Sequence, residues 1–184
     1  MRLFTALWLP ADVVASLQAD TAGPAAPRGW RLTAPRSWHI TLAFHGEVDA
    51  GVHARRLERT AHGAPAPVLR LVGSGAFPRV RWAGVETGAG GELTDLVAAA
   101  GGDRALFVAH VTVLRMRARP GRDADPDPVP WWAGHTGRWW TPPEVLLVAS
   151  EPAKGGPRYQ VVHRVPLAVG PTVGGLPSGK AILA

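Results

Sequence analysis

Two short stretches of this chain are near copies of each other: His39-Ile40-Thr41-Leu42 and His110-Val111-Thr112-Val113. Along a β-strand side chains alternate faces, and each residue rises roughly 3.3 Å. The His and Thr of each copy therefore share one face, about 6–7 Å apart, while Ile40/Leu42 and Val111/Val113 turn the other way into a core. Laid side by side, two such strands bring two imidazoles and two hydroxyls into one cleft, a receptor for a phosphate with an acid and a base already in place. A single His-x-Thr reads as an ordinary surface or core pair. Its repetition on two alternating strands points to a site.

The surrounding pattern alternates strands and helices. Arg2–Leu9 alternates as a strand, and Pro10 opens a helix whose apolar stripe (Val13, Val14, Leu17) ends before Gly23. Trp30–Thr33 reads as a short strand and Pro35–Ser37 as a turn. Trp38–His45 alternates with Trp38, Ile40, Leu42 and Phe44 on one face and His39, Thr41, Ala43 and His45 on the other. Asp49 caps a helix that runs to about His62 and stops at Gly63. Pro67–Val72 and Arg79–Glu86 read as strands joined through residues 73–78, Glu92–Ala100 as a helix, Phe107–Arg117 as the second motif strand. Arg119–Pro143 is a long irregular segment dense in Pro, Gly, Asp and Trp, before two last strands, Val145–Ser150 and Tyr159–Val169. The order β-α-β-β-α-β-β-α-β-loop-β-β, with one motif strand in each half, predicts an internally duplicated α+β fold. Residues 1–169 are expected to form one domain and 170–184 a flexible tail.

Composition narrows the chemistry. Apolar residues make up 46% of the 184, enough for a sizeable core, and there is no cysteine to form a disulfide or bind a metal. Charge favours anionic partners: 20 Lys and Arg against 14 Asp and Glu give +6, almost all of it arginine, a balance that a GC-rich genome also produces. No apolar run reaches the ~20 residues that span a bilayer, and the opening MRLFTALWLPADVV has too short an apolar stretch for a signal peptide. A cytoplasmic protein without membrane contact is expected.

Cleaving a phosphodiester without a metal requires a base for the attacking water, an acid for the leaving oxygen, and donors for the non-bridging oxygens. Histidine, with an ordinary pKa of about 6.5, serves as either acid or base. Threonine hydroxyls, stiff at χ1, donate with little loss of entropy. A metal site would instead ask for three or more ligands. Neither motif strand carries a carboxylate on the same face, since Glu47 and Asp49 lie past the strand end. No cofactor is expected.

These motifs, with Arg2-Leu3-Phe4, Trp30-Arg31-Leu32 before Pro35, Phe44-x-Gly46-Glu47-Val48, Gly75-x-Phe77-Pro78, Arg79-Val80-x-Trp82, Arg115, and Ser150 ahead of Gly156-x-x-Tyr159, resemble the 2H phosphoesterase superfamily. Within it the chain is similar to the bacterial RNA 2′,3′-cyclic phosphodiesterases, also called 2′-5′ RNA ligases. The resemblance runs from Met1 to Val169 and departs at Ala109, where the family usually has proline. It implies a bilobal, pseudo-symmetric fold in which two antiparallel sheets flank a central cleft, with helices outside. It implies metal-independent hydrolysis of a 2′,3′-cyclic phosphate, on an RNA end or a nucleoside, to a 2′-phosphate. His39 and His110 would be catalytic, His39 protonating the leaving 3′ oxygen and His110 activating water, although the two labels exchange freely at the level of sequence. Thr41, Thr112 and Arg115 would bind the phosphate. RNA ligation, other cyclic or 2′-5′-linked substrates, and a non-catalytic RNA- or nucleotide-binding module are the alternatives. A monomer is expected.

Strict alternation sets Arg115 on the face opposite His110 unless a bulge intervenes. Arg79, Arg81 and Arg117 read as a solvated basic rim. Trp131, Trp132, Trp139 and Trp140 either stack a nucleobase or cover apolar surface, the second being favoured, and His45, His53, His62, His135 and His163 read as ordinary surface or core residues.

Overall fold

Alternating runs become strands and capped stripes become helices in the computed structural model, which describes residues 2–89, 92–117, 121–153 and 156–169. The order is β1 (Arg2–Trp8), α1 (Ala11–Thr21), β2 (Trp30–Leu32), a single 3-10 turn (Pro35–Ser37), β3 (His39–Glu47), α2 (Ala50–Ala61), β4 (Leu69–Phe77), β5 (Val80–Thr87), α3 (Leu93–Ala99), β6 (His110–Met116), β7 (Glu144–Glu151) and β8 (Arg158–Pro166). Every element read from the sequence is present in that order. Asp49 caps α2 as its position predicts: its carboxylate accepts the Val52 N–H at 2.7 Å. Gly63, which ends the helix, takes a φ of 67° that suits glycine.

The strands form one eight-stranded antiparallel sheet in two halves. One half is β3-β1-β7-β8; the other is β4-β5-β6, with β2 on the free edge of β6. They meet at one backbone pairing, Ile40 opposite Val111. A side-chain relay reinforces this junction: Trp38 Nε1 donates to Thr33 Oγ1 at 2.8 Å, and that hydroxyl donates to the Thr112 carbonyl at 2.7 Å. The two sheets expected from the family resemblance are therefore two four-stranded halves of one sheet. All three helices of the described residues add apolar side chains to the main core, among them Leu17, Leu57 and Leu96, and these pack with Leu7, Ile40, Val111 and Leu147 of the sheet. A smaller cluster of Phe4, Ala6, Leu146 and Val148 is separate from it.

Two local features depart from the sequence reading. Residues 73–77 continue β4 past a bulge at Gly73, so the β4–β5 connection shrinks to Pro78-Arg79. Arg81, read as solvated rim, is 4% exposed. Its guanidinium stacks over Trp30, donates to the Pro128 carbonyl at 3.0 Å and pairs with Asp127, fastening the long loop to β5. Farther along that loop, Trp140 exchanges backbone hydrogen bonds with Leu69 and Gly137 N–H donates to Leu71, closing the edge of β4. Covering a strand edge in this way protects unpaired backbone groups from stray pairing. The tail expected at 170–184 lies outside the described residues. Among those residues, no helix is long and apolar enough to cross a membrane.

Candidate active site

The Ile40–Val111 pairing sets the geometry of everything that follows. In its antiparallel register His39 stands across from Thr112, and Thr41 across from His110. The two His-x-Thr motifs are thus related by a local twofold axis through that pair, with both sets of polar side chains lining one cleft. The rings are also wired alike. His39 Nδ1 meets the Ser37 carbonyl at 2.7 Å, and His110 Nδ1 meets the Val108 carbonyl at 2.7 Å. A nitrogen facing a carbonyl must carry the hydrogen, so each Nδ1–H donates to the residue two positions earlier, and Nε2 is the atom left to exchange a proton with a ligand.

Both motif strands break alternation at the same place. Thr41 pairs with Ala6 and Ala43 with Thr5, so Leu42 is an extra residue in β3. Thr112 pairs with Trp82 and Leu114 with Arg81, so Val113 is an extra residue in β6. In each bulge two consecutive apolar residues are buried, and the face on which every later side chain falls is switched. The residue three beyond the threonine therefore returns to the cleft. In β6 that residue is Arg115, which strict alternation sets on the wrong face. In β3 it is Phe44, which the sequence reading assigned to the core; it is 81% exposed and lines the cleft.

The two imidazoles differ in their surroundings. His39 stacks on Trp8 with centroids 5.1 Å apart, lies 5.0 Å from Phe4, and takes the edge of Tyr159 at 5.2 Å. Burial in this cage, with smaller contributions from His110 and Arg115 opposing the Ser37 hydrogen bond, pushes its pKa down to about 4. His110 has two aromatic neighbours, Phe77 at 5.0 Å and Trp82 at 5.9 Å. Its pKa is also lowered, mainly by burial. Trp82 reaches it across Gly75, where a Cβ would lie 2.1 Å from the indole, so the glycine of the Gly-x-Phe-Pro segment makes room for the ring beside His110. Burial raises the Tyr159 pKa, opposed by Arg115 and Arg31.

The cleft encloses about 1200 Å³ and takes in all five residues singled out from sequence: His39, Thr41, His110, Thr112 and Arg115. Phe44, Tyr159 and Arg31 also line it and were not foreseen in that role. Both residues stand in segments that carry the family resemblance, but only the paired apolar residues of the bulge signal that Phe44 faces the cleft, and nothing local signals it for Tyr159, which arrives from a strand about 120 residues away. The four tryptophans of the long loop do not line the cleft. Trp132 and Trp140 are buried, Trp131 packs against the core, and Trp139 lies over Arg70 at 4.5 Å. His135 is buried and its Nδ1 meets Asp20 at 2.6 Å, tying the loop to α1. His45 meets Thr5 Oγ1 at 2.8 Å, while His62 and His163 share Glu58.

Paired His-x-Thr strands face one cleft of an α+β sheet, and known proteins like this chain in fold include phosphoesterases. A family model, LigT-like phosphoesterase, matches residues 7–85, which include the first motif. TT0787 of Thermus thermophilus is 28% identical, with a TM-score of 0.69 over 92% of this chain and 99% of its own. E. coli LigT complexed with NADP+ is 27% identical, with a TM-score of 0.65 over 91% and 98%. LigT crystallised with 3′-AMP is 25% identical, with a TM-score of 0.67 over 90% and 97%. None of the curated proteins matches the chain by sequence. The chain is thus similar to LigT-like phosphoesterases, in sequence over residues 7–85 and in fold over about nine-tenths of its length.

Proposed function

We propose that the protein hydrolyses a 2′,3′-cyclic phosphate, on an RNA end or a nucleoside, to a 2′-phosphomonoester without a metal. The observation that carries this reading is the twofold pair of imidazoles, each anchored through Nδ1 with Nε2 left for the ligand. An in-line displacement needs a proton removed on one side of phosphorus and delivered on the other. His110 takes a proton from water as the new P–O bond forms. His39 gives one to the 3′ oxygen as its bond to phosphorus breaks. Burial makes a charged His39 a stronger acid than a free imidazolium, and the substrate's own anion supplies the field that charges it. Thr41 and Thr112 donate to the non-bridging oxygens, and Arg115 neutralises their charge. Phe44, exposed beside Phe4 at 6.3 Å, offers a face on which the nucleobase stacks.

Related structures hold nucleotides, E. coli LigT with ATP and with 3′-AMP among them, which supports a nucleotide-sized ligand here. The test is incubation, in the presence of EDTA, with an oligoribonucleotide ending in a 2′,3′-cyclic phosphate. A 2′-phosphate product is expected, and a 3′-phosphate would overturn the assigned regiochemistry. A non-catalytic nucleotide-binding module would bind the same end without turnover, and His39→Ala would change only its affinity.

A further inference from the structure

A cyclic phosphodiester carries one negative charge, and the cleft is built for more. Five arginines line it (Arg2, Arg31, Arg36, Arg115 and Arg158) against one carboxylate, Glu47. Elsewhere six arginines hold carboxylates: Arg28, Arg70, Arg81, Arg104, Arg138 and Arg164. Within the cleft, Arg2, Arg36, Arg115 and Arg158 pair with no carboxylate among the described residues. The protein thus neutralises much of its outer charge and leaves the cleft strongly positive.

Two of these arginines face each other across neighbouring strands. Arg31 of β2 stands directly opposite Arg115 of β6 in the antiparallel register. Like charges in that position repel. Arg115 is beside the histidines and acts on both of them. Arg31 is on the far side of it, against the β7–β8 hairpin: a Cβ on Gly156 would come within 3.0 Å of Arg31 Nη1. Arg158 extends the same wall from that hairpin. Positive charge therefore continues from the reacting centre along one side of a cleft whose volume exceeds the usual range for a small-ligand pocket.

We infer that Arg31 and Arg158 form a second anion station that binds another phosphate of the same ligand, beyond the phosphate held between His39 and His110. This rests on the reading of the cleft as a nucleotide phosphoesterase site. The second phosphate is either the next phosphodiester of an RNA chain or a phosphate on the 5′ oxygen of the same nucleotide. Both present the oxygens that a guanidinium binds in a forked, charge-assisted geometry.

The test is equilibrium binding, which does not require turnover. The probes are a nucleoside 3′-monophosphate, a nucleoside 3′,5′-bisphosphate, and a dinucleotide ending in a 3′-phosphate. A two-phosphate probe is expected to bind at least about tenfold more tightly at low salt, the scale of one added charge-assisted contact. Its affinity should also fall more steeply with salt, by a slope of about 0.7 per added phosphate contact. Arg158→Gln and Arg31→Gln should remove that advantage while leaving the monophosphate within about twofold. Arg158 is exposed, so its variant keeps the test valid if Arg31→Gln disturbs the fold. A gain for the bisphosphate assigns the station to a 5′-phosphate, and a gain for the dinucleotide alone assigns it to a chain phosphodiester. Equal affinity for all three probes, or equal weakening of all three by the arginine variants, would overturn the inference. If the cyclic phosphate is not hydrolysed and the two-phosphate advantage persists, the station stands and the proposed reaction falls.

Discussion

The two halves of the cleft share a backbone and differ in what they place on it. β3 reads His-x-Thr-x-x-Phe and β6 reads His-x-Thr-x-x-Arg, with the same bulge after the threonine returning the sixth residue to the cleft. Symmetry of the backbone places two imidazoles with the same Nδ1 anchor, which the proposed reaction uses as its two proton-transfer positions. On the proposed reading, asymmetry of the side chains gives the site direction: Phe44 would stack a base in one half, and Arg115 with Arg31 would hold anions in the other. The cages follow the same division, with three aromatic rings around His39 and two near His110.

Removing what the halves have in common should have the largest effect. His39→Ala and His110→Ala are each expected to lower kcat by about 10²–10⁴-fold, the usual share of one acid or base. Because the two groups act on one displacement, the double variant should fall well short of the product of the single losses. Steady-state rates on a 2′,3′-cyclic substrate check this. If either single variant stays within tenfold of the parent, the cleft is not the reacting centre.

Next comes the residue that distinguishes the β6 half. Arg115→Ala should lower kcat/KM by about 10–100-fold, as expected for a charge-assisted contact to phosphate worth roughly 1.5–3 kcal/mol. Arg115→Lys should recover only part of the loss, because a lysine cannot reproduce the guanidinium fork. Full recovery with lysine would mean that Arg115 acts only through its charge.

Much of this was legible in the chain, and the parts that were not have a common cause. The duplicated motif, the element order and the Asp49 cap are local patterns, and local patterns survive folding. The alternation rule failed at Phe44 and Arg115 because a bulge inserts one residue and switches all later side chains to the other face; only Leu42-Ala43 and Val113-Leu114 hint at it. Sequence alone misplaces Arg81, because an arginine in a strand reads as exposed until a distant loop supplies Asp127 and the Pro128 carbonyl. The loop tryptophans mostly cover apolar surface, as the sequence favours, because a loop that closes a sheet edge needs apolar side chains to hold it there.

Phe44→Ala tests the β3 half with a smaller expected effect. Stacking of a base on an aromatic ring is worth about 1–3 kcal/mol, so KM should rise roughly tenfold while kcat is kept. Phe44→Trp should restore the parent value and Phe44→Leu should not. An equal fall in kcat for Phe44→Ala would place the ring at the reacting atoms and not at the base.

The smallest effect distinguishes the two cages. Both histidines lose their protons more readily than free imidazole, His39 down to about 4. The pH profile of kcat/KM, which reports the free enzyme, should therefore be bell-shaped with its centre below pH 6.5. The kcat profile should be centred higher, because a bound anion favours the charged imidazole. Opening the cage with Trp8→Ala relieves the burial that disfavours His39's charge, so the limb belonging to His39 should move up in pH. The same removal at Trp82 should move the profile less. Stability carries the same signature: a histidine whose folded pKa lies below its unfolded value binds fewer protons folded than unfolded. Folding free energy is then lost as pH falls from about 6.5 toward 4, by up to about 3 kcal/mol for His39. Denaturation at pH 7 and pH 5 should show that loss in the parent and less of it in His39→Gln. An unchanged pH dependence in His39→Gln would mean that the cage does not govern the ring's charge.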